Sequence, residues 1–174
     1  MKTLIDILRK RRSIRVYEDK PVTPEAVAIL KEALLRSPSS RNIRPWEFLF
    51  IEDKDLLRQL SQAKPHGAGF LKNAALGIVI CGDSQASDVW VEDCSIASII
   101  GHLTAESLGL GSCWIQIRKR DFDTSTSAET YIREILGLPG TLQIESILAV
   151  GYPAEKKSGV PGDQLPWDKI NHRP

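Results

Sequence analysis

The chain has 174 residues, 42% of them hydrophobic and 26% charged, with a formal net charge of +1. That length suits one domain over residues 1–174 with a sizeable core. Near-neutral charge gives no global field toward nucleic acid or anionic lipid, and no stretch approaches the roughly 20 apolar residues of a membrane helix, so neither partner is expected.

Thr3-Leu4-Ile5-Asp6 has the form of a capping box and opens a first helix to about Lys10. Its Leu4, Ile5 and Leu8 share one face, which needs a packing partner. Basic residues follow this apolar cluster, whereas a signal peptide puts them before it. Residues 11–17 read as extended, with Arg11, Ser13 and Arg15 on one side. Two guanidiniums and a hydroxyl there are either a phosphate clamp or a solvated basic face. Thr23-Pro24-Glu25 starts a second helix, which carries Val27, Leu30 and Leu34 and ends before Pro38. The loop Ser37-Pro38-Ser39-Ser40-Arg41-Asn42-Ile43-Arg44-Pro45-Trp46 packs rigid and polar residues between helix and strand. It is either an ordinary connection or a shelf of fixed polar groups for a small ligand.

Residues 46–51 predict a strand with Trp46, Phe48 and Phe50 on one face and Leu49 and Ile51 on the other. Apolar residues on both faces point to a central strand under helices. A helix is expected over 53–62, a loop over 64–69, and a second apolar strand over 74–81. The longest helix, 92–108, repeats Ile96, Ile99, Ile100 and Leu103 at helical spacing. Its small residues Ala97, Ser98, Gly101 and Ala105 suit close packing, in the core or in a dimer, and Gly109 closes it. A third strand follows over 112–117. Thr126-Ser127-Ala128-Glu129 forms a further capping box, opening a helix to Leu136, and the fourth strand covers 142–150. The tail from Ala154 is rich in proline and charge, with Trp167 as its anchor. This order reads as helices covering a sheet and, taken alone, inclines toward parallel strands.

The chemistry is sparse. The sequence has no P-loop, no GxGxxG after a strand and no GxSxG elbow. Three cysteines, Cys81, Cys94 and Cys113, are widely spaced without a CxxC, which argues against a disulfide framework or zinc site. Such usage fits a reducing compartment, and the cytoplasm is the expected location. His66, His102 and His172 are scattered, and His102 falls within the long helix as a structural residue. Cys81 reads as packing; Cys113 reads as packing or as lining a site. No catalytic side chain and no metal set is expected, a pattern that fits a bound cofactor performing the chemistry.

Four motifs then resemble one family in order along nearly the whole chain. Arg11-Arg12-Ser13-Ile14-Arg15 is similar to the Arg-Arg-Ser-x-Arg motif of the FMN-dependent nitroreductase family, and Pro38-Ser39-Ser40-Arg41-Asn42-Ile43-Arg44-Pro45-Trp46 to its Pro-Ser-x-x-Asn-x-Gln-Pro-Trp motif. Leu108-Gly109-Leu110-Gly111 and Gly151-Tyr152-Pro153, the latter followed by Glu155-Lys156-Lys157, resemble two further segments. The resemblance implies an α+β fold with a central, mostly antiparallel sheet flanked by helices, completed as a homodimer with interfacial FMN sites.

It further implies that Arg11, Arg12, Ser13 and Arg15 hold the FMN phosphate and ribityl chain, with Lys156 or Lys157 adding charge. Pro38, Ser39, Ser40 and Asn42 would line the ring from the other subunit, and the strand with Cys113, Trp114 and Ile115 would run beside it. The implied activity is ping-pong transfer from NADH or NADPH through FMN to an electron-poor small molecule, such as a nitroaromatic or quinone. The alternative is a relative that performs reductive dehalogenation or flavin fragmentation, or that draws on a protein or deazaflavin donor. One departure stands out, because the family's glutamine before Pro-Trp is Arg44 here.

Overall fold

Helix starts follow the capping residues that the sequence supplies. In the computed structural model, which describes residues 3–173, Thr3 and Asp6 form a reciprocal capping box on α1 (Leu4–Lys10). Thr23 caps α2 (Pro24–Leu35), with proline at its start, and Asp53 caps α3 (Lys54–Leu60). The longest helix, α4 (Trp90–Ser107), begins slightly ahead of its expected start. Gly109 follows it in the left-handed region, at φ 77°. Ser127, not Thr126, caps α5 (Ala128–Leu136). The Thr126 N–H is instead drawn to the Asp123 carboxylate at 2.8 Å, together with that of Ser125.

The sheet comprises β1 (Trp46–Ile51), β2 (Leu76–Asp83), β3 (Gly111–Gln116) and β4 (Leu142–Gly151). Its order is β1-β2-β4-β3, and every neighbouring pair is antiparallel. The architecture is therefore α+β, and the inclination toward parallel strands is wrong. Strands β2 and β3, joined through α4, do run the same way, but β4 arrives last and inserts between them. Helix–strand alternation signals crossovers; it does not reveal a later strand filling the gap.

β1 is also an edge strand, not a central one. Trp46, Phe48 and Phe50 join the core beneath α2 and α4, while Leu49 and Ile51 join the core beneath α3 and α5. Apolar residues on both faces report helices above and below, and say nothing of pairing at the two edges.

α4 turns its small residues inward. Ala97, Ser98, Gly101 and Ala105 are buried on the sheet, and a Cβ at Gly101 would come within 3.1 Å of Leu148. Ile96 and Ile99 face outward, 40% and 42% exposed. The small residues thus bring α4 close to its own sheet, and the face left for a partner is the isoleucine face. α1 has no buried residue, so Leu4, Ile5 and Leu8 stay uncovered within the chain. The tail crosses α1 at Gly159, where a Cβ would lie 1.8 Å from the Arg9 carbonyl oxygen. Trp167 is 61% exposed and, among the described residues, donates only to Gly162 O, so it does not anchor the tail to this chain's core.

Candidate functional site

Two glycines form the floor of the site. Gly111 and Gly151 face each other across β3 and β4, and the segment after α1 lies on them. A Cβ at Gly111 would meet Ile14 at 2.8 Å, and one at Gly151 would meet Tyr17 at 2.9 Å. That close approach lets Ile14 N–H donate to Ser112 O at 3.0 Å and Glu18 N–H to Tyr152 O at 2.9 Å. The Tyr17 hydroxyl, buried, donates to Ile14 O at 2.6 Å. Residues 13–17 are thereby fixed against the start of β3 and the end of β4, with isolated bridges Ser13–Ser112 and Tyr17–Pro153.

Glu155, to which the sequence reading assigns no role, completes the clamp. Its Oε1 accepts from Arg15 N at 2.6 Å, from Val16 N at 3.3 Å and from Lys157 Nζ at 2.9 Å. These contacts, the Arg15 N–H first, hold its carboxyl below the usual range. Lys157 Nζ also donates to Ser13 O at 2.9 Å, and the Arg12 guanidinium donates to Ser158 O. Lys156 and Lys157 both line an open cavity of about 370 Å³ with Lys10, Arg12, Ile14 and Glu106. Arg11, Arg12, Ser13, Arg15, Lys156 and Lys157 are therefore gathered where the tail meets the first segment. The only sequence signal for Glu155 is its place beside two lysines.

β3 is an outer strand, and its backbone alternates. The Ser112 carbonyl faces Ile14, while Ile117 N–H turns to Glu145 O on β4. The backbone groups of Trp114 and Gln116, in register with Ser112, consequently point away from β4. Along this edge Trp114 Nε1 donates to Gln116 Oε1 at 3.0 Å, and Gln116 Nε2 to Arg118 O at 3.0 Å. Cys113 and Ile115 turn the other way and are buried. Burial pushes the Cys113 thiol pKa up, against the pull of Arg15. His102, buried in α4, shares a 2.8 Å hydrogen bond with Ser112 Oγ. Burial, with the Arg11 guanidinium behind it, takes its pKa down to about 4, so it is a neutral structural group.

The polar loop lies elsewhere. Ser40 N–H donates to Asp93 Oδ1 at 2.8 Å, in the first turn of α4, and Arg41 pairs with Asp88. Arg41, Asn42 and Arg44 all have positive φ, between 52° and 55°. The Ser39 hydroxyl accepts from Arg44 N at 2.8 Å, and Arg44 Nε donates to Asn42 Oδ1 at 3.0 Å. At the other end of α4, Lys10 pairs with Glu106 at 3.4 Å. At 1.5 Å per residue, Asp93 and Glu106 are about 20 Å apart along the helix. Within one chain, Pro38, Ser39, Ser40 and Asn42 are thus not brought to the Arg11–Lys157 cluster. Among the described residues no group of side chains could hold a metal ion, and no helix is long and apolar enough to cross a membrane.

The nitroreductase family model matches residues 8–64 and 62–152. A solved FMN-dependent nitroreductase from Clostridium difficile R20291 is 44% identical, with a TM-score of 0.96 over 98% of this chain and 99% of that one. A protein of Archaeoglobus fulgidus, named provisionally as an NADH dehydrogenase/NAD(P)H nitroreductase, is 34% identical over 90% of this chain and 89% of its own. The FMN reductase [NAD(P)H] of Bacillus subtilis is 26% identical over 99% of this chain and 74% of its own.

Proposed function

The chain belongs to the nitroreductase family, and on that premise we propose that it is an FMN-dependent NAD(P)H oxidoreductase acting by ping-pong exchange. FMN and NAD(P)H are named for its relatives, and the donor set of this chain fits them. When bound, the flavin supplies the redox chemistry, taking hydride from NAD(P)H and passing reducing equivalents to an electron-poor acceptor such as a nitroaromatic or quinone.

The observation that carries this reading is the gathering of Arg11, Arg12, Ser13, Arg15 and Lys157 at the start of an edge strand with outward N–H groups. Guanidinium and ammonium groups beside a hydroxyl suit a phosphate. The Trp114 and Gln116 backbone groups suit the heteroatom edge of a flat ring and stabilise charge that develops on it. Glu155 acts by holding Arg15 and Lys157 in place. No side chain in this cluster needs to act as a catalytic acid.

The loop of Pro38, Ser39, Ser40 and Asn42 reaches such a site only from a second copy of the chain, because α4 separates the two groups by about 20 Å in one copy. A homodimer with interfacial sites follows, and the outward Ile96 and Ile99 with the uncovered face of α1 supply apolar surface for it. Arg44, tethered to Asn42, would stand at the mouth of that site.

The test is an absorbance spectrum of the purified protein with added FMN, followed by anaerobic titration with NADH and NADPH. A flavin spectrum that bleaches with either donor and recovers on adding a nitroaromatic is expected. A protein that stays colourless with FMN refutes the reading.

A further inference from the structure

A second basic cluster lies beyond the opposite end of β3. There a cavity of about 300 Å³ is lined by Lys64, Pro65, His66, Arg120 and Asp121. Arg120 is held firmly: its N–H donates to Ile117 O at 3.0 Å, its carbonyl accepts from Ala128 N at 2.9 Å, and Nη1 donates to Lys119 O at 3.0 Å. Lys64 folds back over Gly67, whose φ of 78° shapes the turn and whose would-be Cβ lies 3.7 Å from Nζ. Neither cation takes part in any ion pair among the described residues. Burial and the Arg120 guanidinium both lower the Lys64 pKa. Asp121, on the cavity wall, forms no ion pair with either and bridges to Ser127 through its backbone.

Two like charges set side by side, one of them partly buried, are unfavourable unless an anion joins them. Phosphate binding is already provided for by the cluster at the start of the strand. The Arg120 N–H bond to Ile117 O, one residue past the end of β3, ties the cavity to the same strand.

We propose that Lys64 and Arg120 form an anion subsite for the second substrate, taking the phosphate or carboxylate of either a 2′-phosphorylated nicotinamide donor or an acidic acceptor. The proposal rests on the reading of the chain as a flavin oxidoreductase. It makes this enzyme discriminate among substrates by charge, at a place away from the flavin phosphate.

The experiment compares Lys64→Gln, Arg120→Gln and the charge-conserving Lys64→Arg in the flavin-loaded protein. Equilibrium binding is read with NADP+ and NAD+, and KM with 4-nitrobenzoate and nitrobenzene. Each Gln variant is expected to weaken one charged probe about tenfold, or about 1.4 kcal/mol. NAD+, nitrobenzene and the FMN Kd of the apoprotein should stay within about twofold, and Lys64→Arg should restore binding. Loss confined to NADP+ identifies the donor as the source of the anion; loss confined to 4-nitrobenzoate identifies the acceptor. Unchanged binding of both charged probes overturns the subsite, as does an equal loss with the neutral probes or a tenfold loss of FMN. A colourless wild-type protein removes the flavin reading and the subsite with it. A coloured protein with indifferent variants removes the subsite alone.

Discussion

Gly111→Ala tests how the cofactor cluster is built. The new Cβ would lie 2.8 Å from Ile14 Cβ and Cγ2 and 2.9 Å from Cγ1. Ordinary carbon contacts are about 3.5–4.0 Å, so Ile14 must retreat by roughly 1 Å. Its Cβ cannot rotate away, because it is fixed to the backbone that donates from Ile14 N to Ser112 O at 3.0 Å. The whole segment must therefore lift, carrying Ser13 and Arg15 with it. Overpacking of this kind costs about 1–3 kcal/mol, which for a chain of this size is a fall of about 2–12 °C in Tm. Displacing Arg15 and Ser13 should weaken FMN at least about tenfold, the equivalent of 1.4 kcal/mol. The assay is fluorescence titration of apoprotein with FMN alongside thermal unfolding of the apoprotein. Gly140→Ala is the control, since nothing lies within 4 Å of its would-be Cβ. A fall in Tm with FMN affinity unchanged would refute the reasoning, because the segment could then move without disturbing the cofactor.

Subunit mixing tests the shared site: Arg11→Ala and Asn42→Ala homodimers should each bind FMN poorly, while a 1:1 mixture should regain about a quarter of the high-affinity sites. No recovery on mixing, with heterodimers verified, would place both groups in one subunit's site. For pH dependence, the His102 pKa is lowered to about 4 by burial and then by Arg11, so between pH 6.5 and 4 the unfolded chain binds more protons than the native one. The neutral imidazole's contribution is therefore complete above about pH 6.5 and is lost as pH falls toward 4, at most about 3 kcal/mol. Glu145 opposes this, since burial raises its pKa, so urea midpoints at pH 7 and 4.5 should be compared between parent and His102→Gln. Equal pH dependence in the two would remove His102 from the account. Thiol reagents should label none of Cys81, Cys94 and Cys113 in the native protein and all three after unfolding, because each is buried and its pKa is raised chiefly by that burial. Rapid native labelling would show that one of them is accessible.

What the sequence discloses and what it withholds divide by range. Thr3, Thr23 and Asp53 cap their helices through bonds to residues three positions on, so a short window contains the whole interaction. The alternation of Trp46, Phe48 and Phe50 against Leu49 and Ile51 likewise assigns each side chain to its layer. Strand order is hidden because β4 pairs β2 across 59 to 74 residues, from Asp83–Leu142 to Leu76–Val150, and no local pattern encodes that insertion. The faces of α4 mislead for a related reason. Isoleucines recurring at helical spacing look like a core stripe, but the residues that α4 buries toward the sheet are Cys94, Ala97, Ser98, Gly101, His102 and Ala105. Within the candidate site the arginines and serines are legible by type and spacing, whereas Glu155 gains its role only when the tail returns to residues 15 and 16.

An exposed edge strand is a liability, because its unpaired backbone groups invite another strand. β3 has that exposure by topology, and the chain covers it in parts. Residues 13 and 14 close its first end through Ser112. Beyond them, the Trp114–Gln116–Arg118 chain of hydrogen bonds fixes the side chains along the edge. Its first end is filled, so a second strand cannot pair along its whole length. A flat ring with its own donors and acceptors needs only the two or three backbone groups that stay open, and its phosphate lands on the cations that close the first end. In the proposed site the groups that protect the edge and the groups that hold the flavin are thus the same. Perturbing that first end, at Gly111 or at Glu155, should therefore reduce FMN affinity and raise self-association together.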